Sequence, residues 1–276
     1  AQAVESVGGE MNAFTTKEYT AFYIRILDES LPMAIGILSD VIWSPTLEED
    51  QIDSERQVIL EEIRMIEDAP DELAHELFSR ALYPGHPLGR QVLGTEPTIE
   101  SMSRTVIAEY HGAHYLPENI VVSVAGNLHH EAVVDNVMSC LAGKSGGREP
   151  RAAIAATTTP VPVSVLTRST EQTHLVLGMP ALSWNDPDRY ALEIVNQVLG
   201  GGMSSRLFQE VRERRGLAYE VYSHRCAYDD GGYLAIYAGT APARAHTVLQ
   251  VLHDELDRLV DDGGVSDEEL ANAKGH

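Results

Sequence analysis

Two stretches at opposite ends of the chain, 8–42 and 215–256, share one pattern, and this similarity constrains the fold more than any other feature. Each stretch reads as an extended segment, a turn, an aromatic-rich strand, a turn with proline and an amphipathic helix. Leu47–Ile52 and Val265–Leu270 then each open a second helix with an acidic first turn, which suits the positive end of the helix dipole. Residue identity between the stretches is low, so the prediction of a duplicated architecture rests on the order of elements.

A segment rich in Gly, Ser, Pro and Thr separates the two stretches. Residues 143–160 read GKSGGREPRAAIAATTTP and show no apolar period. The 276 residues are about twice the modal domain length. We therefore predict a domain at 1–142, a linker at 143–160 and a domain at 161–276. A strand and a long helix precede the second stretch, at His174–Arg214, but not the first, so we expect this sequence to be truncated at both ends of a longer protein.

Apolar periodicity predicts helices and strands in both halves. The predicted strands are Thr20–Leu27, Asn119–Val124, a segment near Val161–Leu166, and Leu175–Met179. The predicted helices are Leu31–Trp43, Leu47–Glu67, Asp71–Leu82, Ser103–Tyr110, His130–Leu141 and Asp188–Arg215, the last of which is interrupted by three glycines at 200–202.

The charge and the apolar content exclude several classes of protein. The chain has 20 Lys and Arg against 42 Asp and Glu, a net charge of −22, which repels nucleic acid. A hydrophobic fraction of 43% is enough for a core, and no apolar run approaches the roughly 20 residues of a membrane span. Cys140 and Cys226 are far apart and form neither a disulfide framework nor a CxxC pair.

Two glutamates follow an isoleucine repeat on the predicted helix Leu47–Glu67. Ile52, Ile59 and Ile66 recur every seven residues, and Glu55 and Glu62 each stand three residues after one of them. At about 100° per residue both carboxylates lie beside the apolar stripe, so we expect them to point inward. A buried carboxylate needs a cation, a metal or a catalytic role. The alternative is a slightly rotated helix on which both glutamates are solvated.

A metal site would need further ligands, normally His or Cys at helical spacing. The sequence contains neither HExxH nor HxxEH. His111 and His114 form an HxxH pair, but this arrangement is more typical of surface or hydrogen-bonded histidines, and the pair at 129–130 is a weaker candidate. We expect any further ligands to lie upstream of Ala1.

Several blocks, taken in order, resemble the insulinase, pitrilysin and mitochondrial processing peptidase family. They are VGGEMNAFTTKEYTAFY (Val7–Tyr23), ERQVILEE (Glu55–Glu62), HPLGRQVLGTEPTI (His86–Ile99), YLPENIVVSVAGN (Tyr115–Asn127) and GGGMSSRLFQEVRERRGLAYEVYS (Gly200–Ser223). The resemblance covers nearly the whole chain. It implies an α+β fold of two related domains, each a mainly antiparallel sheet with packed helices, enclosing a cavity.

The resemblance also implies a zinc peptidase site. The family carries an inverted HxxEH motif, in which two histidines bind zinc and the glutamate is the general base, while a later glutamate completes the metal site. By resemblance Glu62 is this later zinc ligand and Glu55 is a supporting acid near the metal. The expected cofactor is one Zn²⁺ per intact chain, and a water activated by the metal is the expected nucleophile.

The substrate residues are also implied by resemblance. Asn12 and Ala13 match the edge strand on which the family lays an extended peptide. Arg212 and Tyr219 match the residues that the second domain contributes to substrate binding and catalysis, where they could stabilise the developing oxyanion. Without the resemblance we would interpret Arg212 as a surface residue and Tyr219 as a core residue.

The absence of HxxEH means that this chain, as printed, should neither bind catalytic zinc tightly nor cleave peptides. We expect the motif in a preceding segment of the intact protein, whose predicted function is zinc-dependent endopeptidase action on extended, possibly basic, peptides. Two alternatives stay open: a non-catalytic subunit that binds peptides or a partner protease, and a metal-free structural protein, which requires Glu55 and Glu62 to be solvated. The sequence does not distinguish one chain from a homodimer, and gives no localisation.

Overall fold

The computed structural model describes residues 2–141, 143, 145–146, 159–261 and 264–275. Most of the predicted linker 143–160 lies outside these residues. The helices are α1 (Gln2–Glu5), α2 (Leu31–Trp43), α3 (Glu49–Asp68), α4 (Pro70–Leu82), α5 (Glu96–Ser101), α6 (Arg104–His114), α7 (His130–Cys140), α8 (Arg189–Gly200), α9 (Ala245–Asp261) and α10 (Asp267–Lys274). The strands are β1 (Glu10–Thr15), β2 (Thr20–Arg25), β3 (Thr173–Ala181), β4 (Ala218–Ala227) and β5 (Gly232–Thr240).

The chain divides into two compact units. The first combines Ala1–Ile63 with Gln91–Ile154, and the second combines Arg64–Arg90 with Ala155–His276. The second unit includes α4, because this helix packs on β3. The two compact units therefore have different limits from the predicted domains 1–142 and 161–276. We keep the predicted limits as a proposal for the duplicated domains of the intact protein.

In the first unit, β1 and β2 form an antiparallel hairpin. Asn12 pairs with Tyr23 and Ala13 with Phe22. The helix α2 contacts both β2 and α7. On α3, Leu60 and Ile63 are buried and join Ile99 of α5 in an apolar cluster. This packing fixes which side of α3 faces the unit.

The predicted strand Asn119–Val124 is wrong. Residues 120–125 have no strand partner among the residues that the structure describes, although Ile120 has extended backbone angles of φ −116° and ψ 133°. Val121 is 93% exposed. An extended segment becomes a strand only when a neighbour accepts its ladder bonds, and periodicity alone does not supply that neighbour. The predicted strand near Val161–Leu166 is wrong in the same way.

In the second unit, the sheet has the order β3-β5-β4 with all neighbours antiparallel. Its core brings together α8, α9, β4 and β5, and the fully buried side chains include Leu199, Leu207, Val211, Ile236, Val248, Val251 and Leu252. The chain is thus an α+β protein with antiparallel sheets, as predicted.

The predicted helix Asp188–Arg215 is two segments. The helix α8 ends at Gly200, and a π-helical segment follows at Phe208–Arg214. A Cβ on Gly200 would lie 2.3 Å from the backbone nitrogen of Ser223, so only glycine lets α8 approach β4 this closely.

The predicted duplication is visible in the element order. In the first stretch β1, β2, α2 and α3 follow one another, and in the second β4, β5, α9 and α10 do so. Each hairpin is entered through a glycine with positive φ, Gly8 at +72° and Gly216 at +57°. The amide nitrogen of Gly8 donates to the Glu5 carbonyl at 2.9 Å, and that of Gly216 donates to the Arg212 carbonyl at 3.1 Å. In the described ranges, no helix combines the length and apolar character that crossing a bilayer requires.

Candidate functional site

The two glutamates of α3 lie on its exposed side. Glu55 and Glu62 are both exposed, and they are separated by about 10.5 Å along the helix axis at 1.5 Å per residue. The expectation that both point inward is therefore wrong. The helix is anchored by Leu60 and Ile63, and both glutamates lie roughly 120° around the helix from that direction. The isoleucine repeat is only partly buried and does not mark the centre of the packed face.

Two apolar side chains share this exposed side of α3. Val58 is 50% exposed and Met65 is 70% exposed, and they alternate with Glu55 and Glu62 along the helix. A face that combines carboxylates with large exposed apolar groups is typical of a contact surface. Exposure of both glutamates is also what the metal-free structural alternative requires, so zinc content must separate the two interpretations.

The strand β1 offers one edge for a further strand. In the described part of the chain it pairs only with β2. Asn12 and Ala13 are exposed on β1, and the Ala13 N–H donates to the Asn12 side-chain oxygen at 2.8 Å. A peptide that adds to this edge would replace this local bond of the Ala13 N–H with an interstrand bond.

The structure brings Arg212 and Tyr219 together in the second unit. The turn at Gly216 reverses the chain between them, and the Leu217 N–H donates to the Val211 carbonyl at 2.8 Å. The Arg212 guanidinium carbon lies 4.9 Å from the centre of the Tyr219 ring, a cation–π contact. Tyr219 is 77% exposed. Its interpretation as a core residue, which we would prefer without the family resemblance, is therefore wrong.

Arg212 and Tyr219 line an open cleft of about 410 Å³. The other lining residues include Gln172, Gly216, Thr240 and Arg244. Sequence reasoning missed Arg244, which follows β5 by four residues and reaches the cleft because its Nη1 donates to the Gly216 carbonyl at 2.7 Å. This contact joins residues 28 positions apart, so no local sequence pattern predicts it.

The HxxH pair is structural. His111 Nε2 lies 2.7 Å from the Ile42 carbonyl oxygen, and its ring stacks on Tyr115 at 4.6 Å between centroids. His114 Nδ1 lies 3.0 Å from the Tyr110 carbonyl oxygen, and its ring stacks on Tyr110. Both histidines are hydrogen-bonded, as the sequence predicted.

The donor set for zinc is incomplete in this part of the protein. A catalytic zinc ion needs three protein ligands, and the residues that the structure describes contain no group of three His, Cys, Asp or Glu that could hold a metal. The exposed carboxylate of Glu62 fits the role of one ligand.

Sequence reasoning also missed a cluster of histidine and tyrosine rings between α4 and the β4–β5 sheet. His75 Nε2 lies 3.0 Å from the Tyr222 hydroxyl, and the His75 ring contacts His224 at 5.2 Å and Tyr237 at 5.3 Å between centroids. Burial lowers the pKa of His224 to about 4 and also lowers the pKa of His75. Burial raises the pKa of Tyr237. Tyr222 and His224 are two residues apart on β4 and so lie on the same face of the strand. This spacing was the signal in the sequence that could have revealed the cluster.

Comparisons with known proteins identify the family. Residues 1–96 match the family described as Insulinase (Peptidase family M16), and residues 101–275 match Peptidase M16 inactive domain. An uncharacterized zinc protease of Streptomyces coelicolor is 43% identical over 281 residues, which cover 99% of this chain and 61% of that protein. The uncharacterized zinc protease YmxG of Bacillus subtilis is 39% identical, with 99% and 66% covered.

Solved structures show the same fold. The peptidase M16 inactive domain from Pseudomonas fluorescens has a TM-score of 0.88 at 24% identity, with 99% of this chain and 67% of that chain covered. A protease from Helicobacter pylori also has a TM-score of 0.88 at 24% identity, with 99% and 68% covered. This chain spans about three fifths of the length of the Streptomyces relative. From these matches, the chain belongs to peptidase family M16, the insulinase family.

Proposed function

We propose that the intact protein is a zinc-dependent endopeptidase that cleaves extended peptides. The observation that carries this proposal is the pair of exposed carboxylates, Glu55 and Glu62, seven residues apart on one helix of a chain whose relatives are named zinc proteases. Glu62 supplies one zinc ligand, and Glu55 is the supporting acid beside it. The two histidine ligands and the general base come from a part of the protein outside these residues.

The carboxylates have separate roles in this proposal. A carboxylate oxygen of Glu62 completes the ligand set, and the second negative charge, on Glu55, favours the retention of a divalent cation. When bound, zinc activates water and polarises the peptide carbonyl. Both side chains are exposed, so a cation can reach their carboxylate oxygens.

Peptide binding in this proposal uses backbone contacts. The edge of β1 at Asn12 and Ala13 receives the peptide as an added strand, which selects for extended chains with few side-chain requirements. Arg212 and Tyr219 also contact the substrate in this proposal, and a guanidinium or a phenol hydroxyl donates to the developing oxyanion. The net charge of −22 favours basic peptides.

The decisive test measures zinc content and cleavage of a quenched basic peptide by the full-length protein. We expect about one zinc per chain and chelator-sensitive cleavage. Glu62→Gln should lower activity by about 100-fold or more, since one zinc ligand is lost, and should lower the zinc content. Glu67→Gln, an exposed glutamate on the same helix, is the matched control and should change neither.

Two results would contradict the proposal. Full-length protein that holds no zinc but still binds the peptide would identify a non-catalytic peptide-binding subunit. Equal stability of wild type and Glu62→Ala, with and without added zinc, together with no peptide binding, would identify a metal-free structural protein.

A further inference from the structure

We propose that the cleft between β4, β5 and the start of α9 binds a carboxylate group of the peptide, through Arg212 and Arg244 together. This inference rests on the proposed peptide-binding function and chooses between its two oxyanion donors: with Arg212 on the carboxylate, the Tyr219 hydroxyl is the donor to the oxyanion. The ligand chemistry is a single carboxylate, from the C-terminus of the peptide or from an acidic side chain.

The lining of this cleft has an unusual charge for this chain. It contains two arginines and neither Asp nor Glu among the described residues, in a protein with 42 acidic and 20 basic side chains. The cleft is therefore a positive site on an acidic molecule. A long acidic peptide is repelled by the rest of the surface, whereas one carboxylate on an otherwise basic peptide is attracted to this site.

The two arginines lack carboxylate partners within the described residues. Several other arginines of the second unit have one: for example, Arg206 pairs with Glu269 at 2.6 Å, and Arg225 with Glu193. Acidic groups outnumber basic groups two to one in this chain, yet among the described residues neither cleft arginine pairs with one. Two such arginines in one cleft favour an external anion as their partner.

The contacts that hold the arginines leave most of their donors free. The Arg212 guanidinium carbon lies 4.8 Å from the Phe208 ring centre and 4.9 Å from the Tyr219 ring centre, so aromatic rings position it while its N–H groups stay in its own plane. Arg244 spends one N–H on the Gly216 carbonyl, and four of the five donors of a guanidinium remain. A guanidinium presents parallel N–H donors that suit the two oxygens of a carboxylate, and both arginines line the same cleft.

The test compares three fluorescent peptides of one basic sequence: free C-terminus, amidated C-terminus, and amidated with one glutamate as the last residue. Fluorescence anisotropy gives the Kd of each for the full-length protein treated with a chelator, so that the peptides are bound but not cleaved. We expect the free acid to bind about tenfold more tightly than the amide. Arg212→Gln and Arg244→Gln should each bring this ratio close to one, and Arg244→Lys should retain part of it.

Arg214→Gln is the matched control, because Arg214 is an exposed arginine of the same π-helical segment that pairs with Glu210. It should leave the ratio unchanged. Thermal melting checks that each variant is folded. If Arg244 had only a structural role, its substitution would weaken the binding of the free-acid and amidated peptides equally and leave their ratio unchanged. Recovery of tight binding by the glutamate peptide supports the site and identifies a side-chain carboxylate as ligand.

Equal affinity for acid and amide in wild type would overturn the carboxylate site while leaving peptide binding intact. A preference that survives both arginine substitutions would also overturn it. Loss of all peptide binding together with loss of zinc and cleavage in the full-length protein would reject the proposed function itself, so the two failures are distinguishable.

Discussion

Gly200, the last residue of α8, determines how closely this helix approaches β4. An added Cβ would meet the Ser223 backbone nitrogen at 2.3 Å and the Ser223 Oγ at 2.7 Å. That hydroxyl also donates to the Asn196 carbonyl at 3.0 Å, so the contact cannot relax by side-chain rotation alone. The position therefore requires glycine for space rather than for backbone freedom.

We predict that Gly200→Ala destabilises the chain by about 2–3 kcal/mol, because overpacking forces backbone movement in the buried core of the second unit. Urea unfolding measures the change. Gly202→Ala is the control, since the nearest atom to its added Cβ is 3.7 Å away, and it should cost less than about 1 kcal/mol. An equal effect at both positions would contradict the packing explanation.

At the scale of elements, α4 contacts the β4–β5 sheet through the cluster of histidine and tyrosine rings, and the two histidines of this cluster can be protonated. Neutral His75 accepts from or donates to the Tyr222 hydroxyl at 3.0 Å and stacks on Tyr237, and it faces His224. Protonation of both imidazoles would place two positive charges at adjacent rings. Negative charges on Asp71, Glu72 and Glu220 partly offset the effect at His75.

We predict that the stability of the second unit falls as the pH decreases from about 6.5 to about 4. The folded pKa of His224 is lowered to about 4, so the unfolded chain binds more protons in this window and stability is lost as pH falls through it. The ring is only partly buried, which limits the loss to about 1–2 kcal/mol. Urea unfolding across this range measures it.

His224→Gln removes the titrating group and should flatten this pH dependence, at some cost in stability at pH 7. His253→Gln is the control, because His253 is exposed on α9 and lies outside the ring cluster. A wild-type pH profile that is flat between about pH 6.5 and 4 would rule out the titrating contact.

Sequence periodicity predicted local elements well and long-range pairing poorly. The predicted helix Leu31–Trp43 is confirmed at both ends, because its apolar period and Ser44-Pro45 are local signals. Asn119–Val124 failed as a strand because its state depends on a neighbour. The side of α3 that packs was misjudged because it depends on Leu60 meeting Ile99 across the unit.

The site residues show the same difference between local signals, which the sequence reveals, and long-range contacts, which it does not. Ordered blocks singled out Arg212 and Tyr219, and the structure joins them in one cleft. Arg244 was missed because it donates to the carbonyl of Gly216, which precedes β4, whereas Arg244 itself follows β5. The catalytic, metal and substrate roles of all six predicted site residues stay predictions: Asn12, Ala13, Glu55, Glu62, Arg212 and Tyr219.

At the scale of the whole molecule, the two copies of the repeated element order carry different side chains at matching places. The residues proposed to contact peptide lie near the start of the first hairpin strand in each copy: Asn12 and Ala13 on β1, Tyr219 on β4. The proposed zinc ligand is on the second helix of the first copy, and Ala273 of α10 stands where Glu55 stands in the first copy. One architecture thus presents carboxylates in one copy and a guanidinium with a phenol in the other.

The net charge of −22 makes a prediction for the whole molecule. Long-range attraction raises the affinity for basic peptides at low ionic strength, and salt screens it once the Debye length falls well below molecular dimensions. We predict that the Kd of a basic peptide rises about tenfold between about 50 mM and 500 mM salt, whereas a neutral peptide of equal length changes by less than about twofold. Fluorescence anisotropy with the full-length protein measures both. If the two peptides responded equally to salt, the acidic surface would serve solubility alone, and selection among peptides would rest on the β1 edge and the arginine cleft.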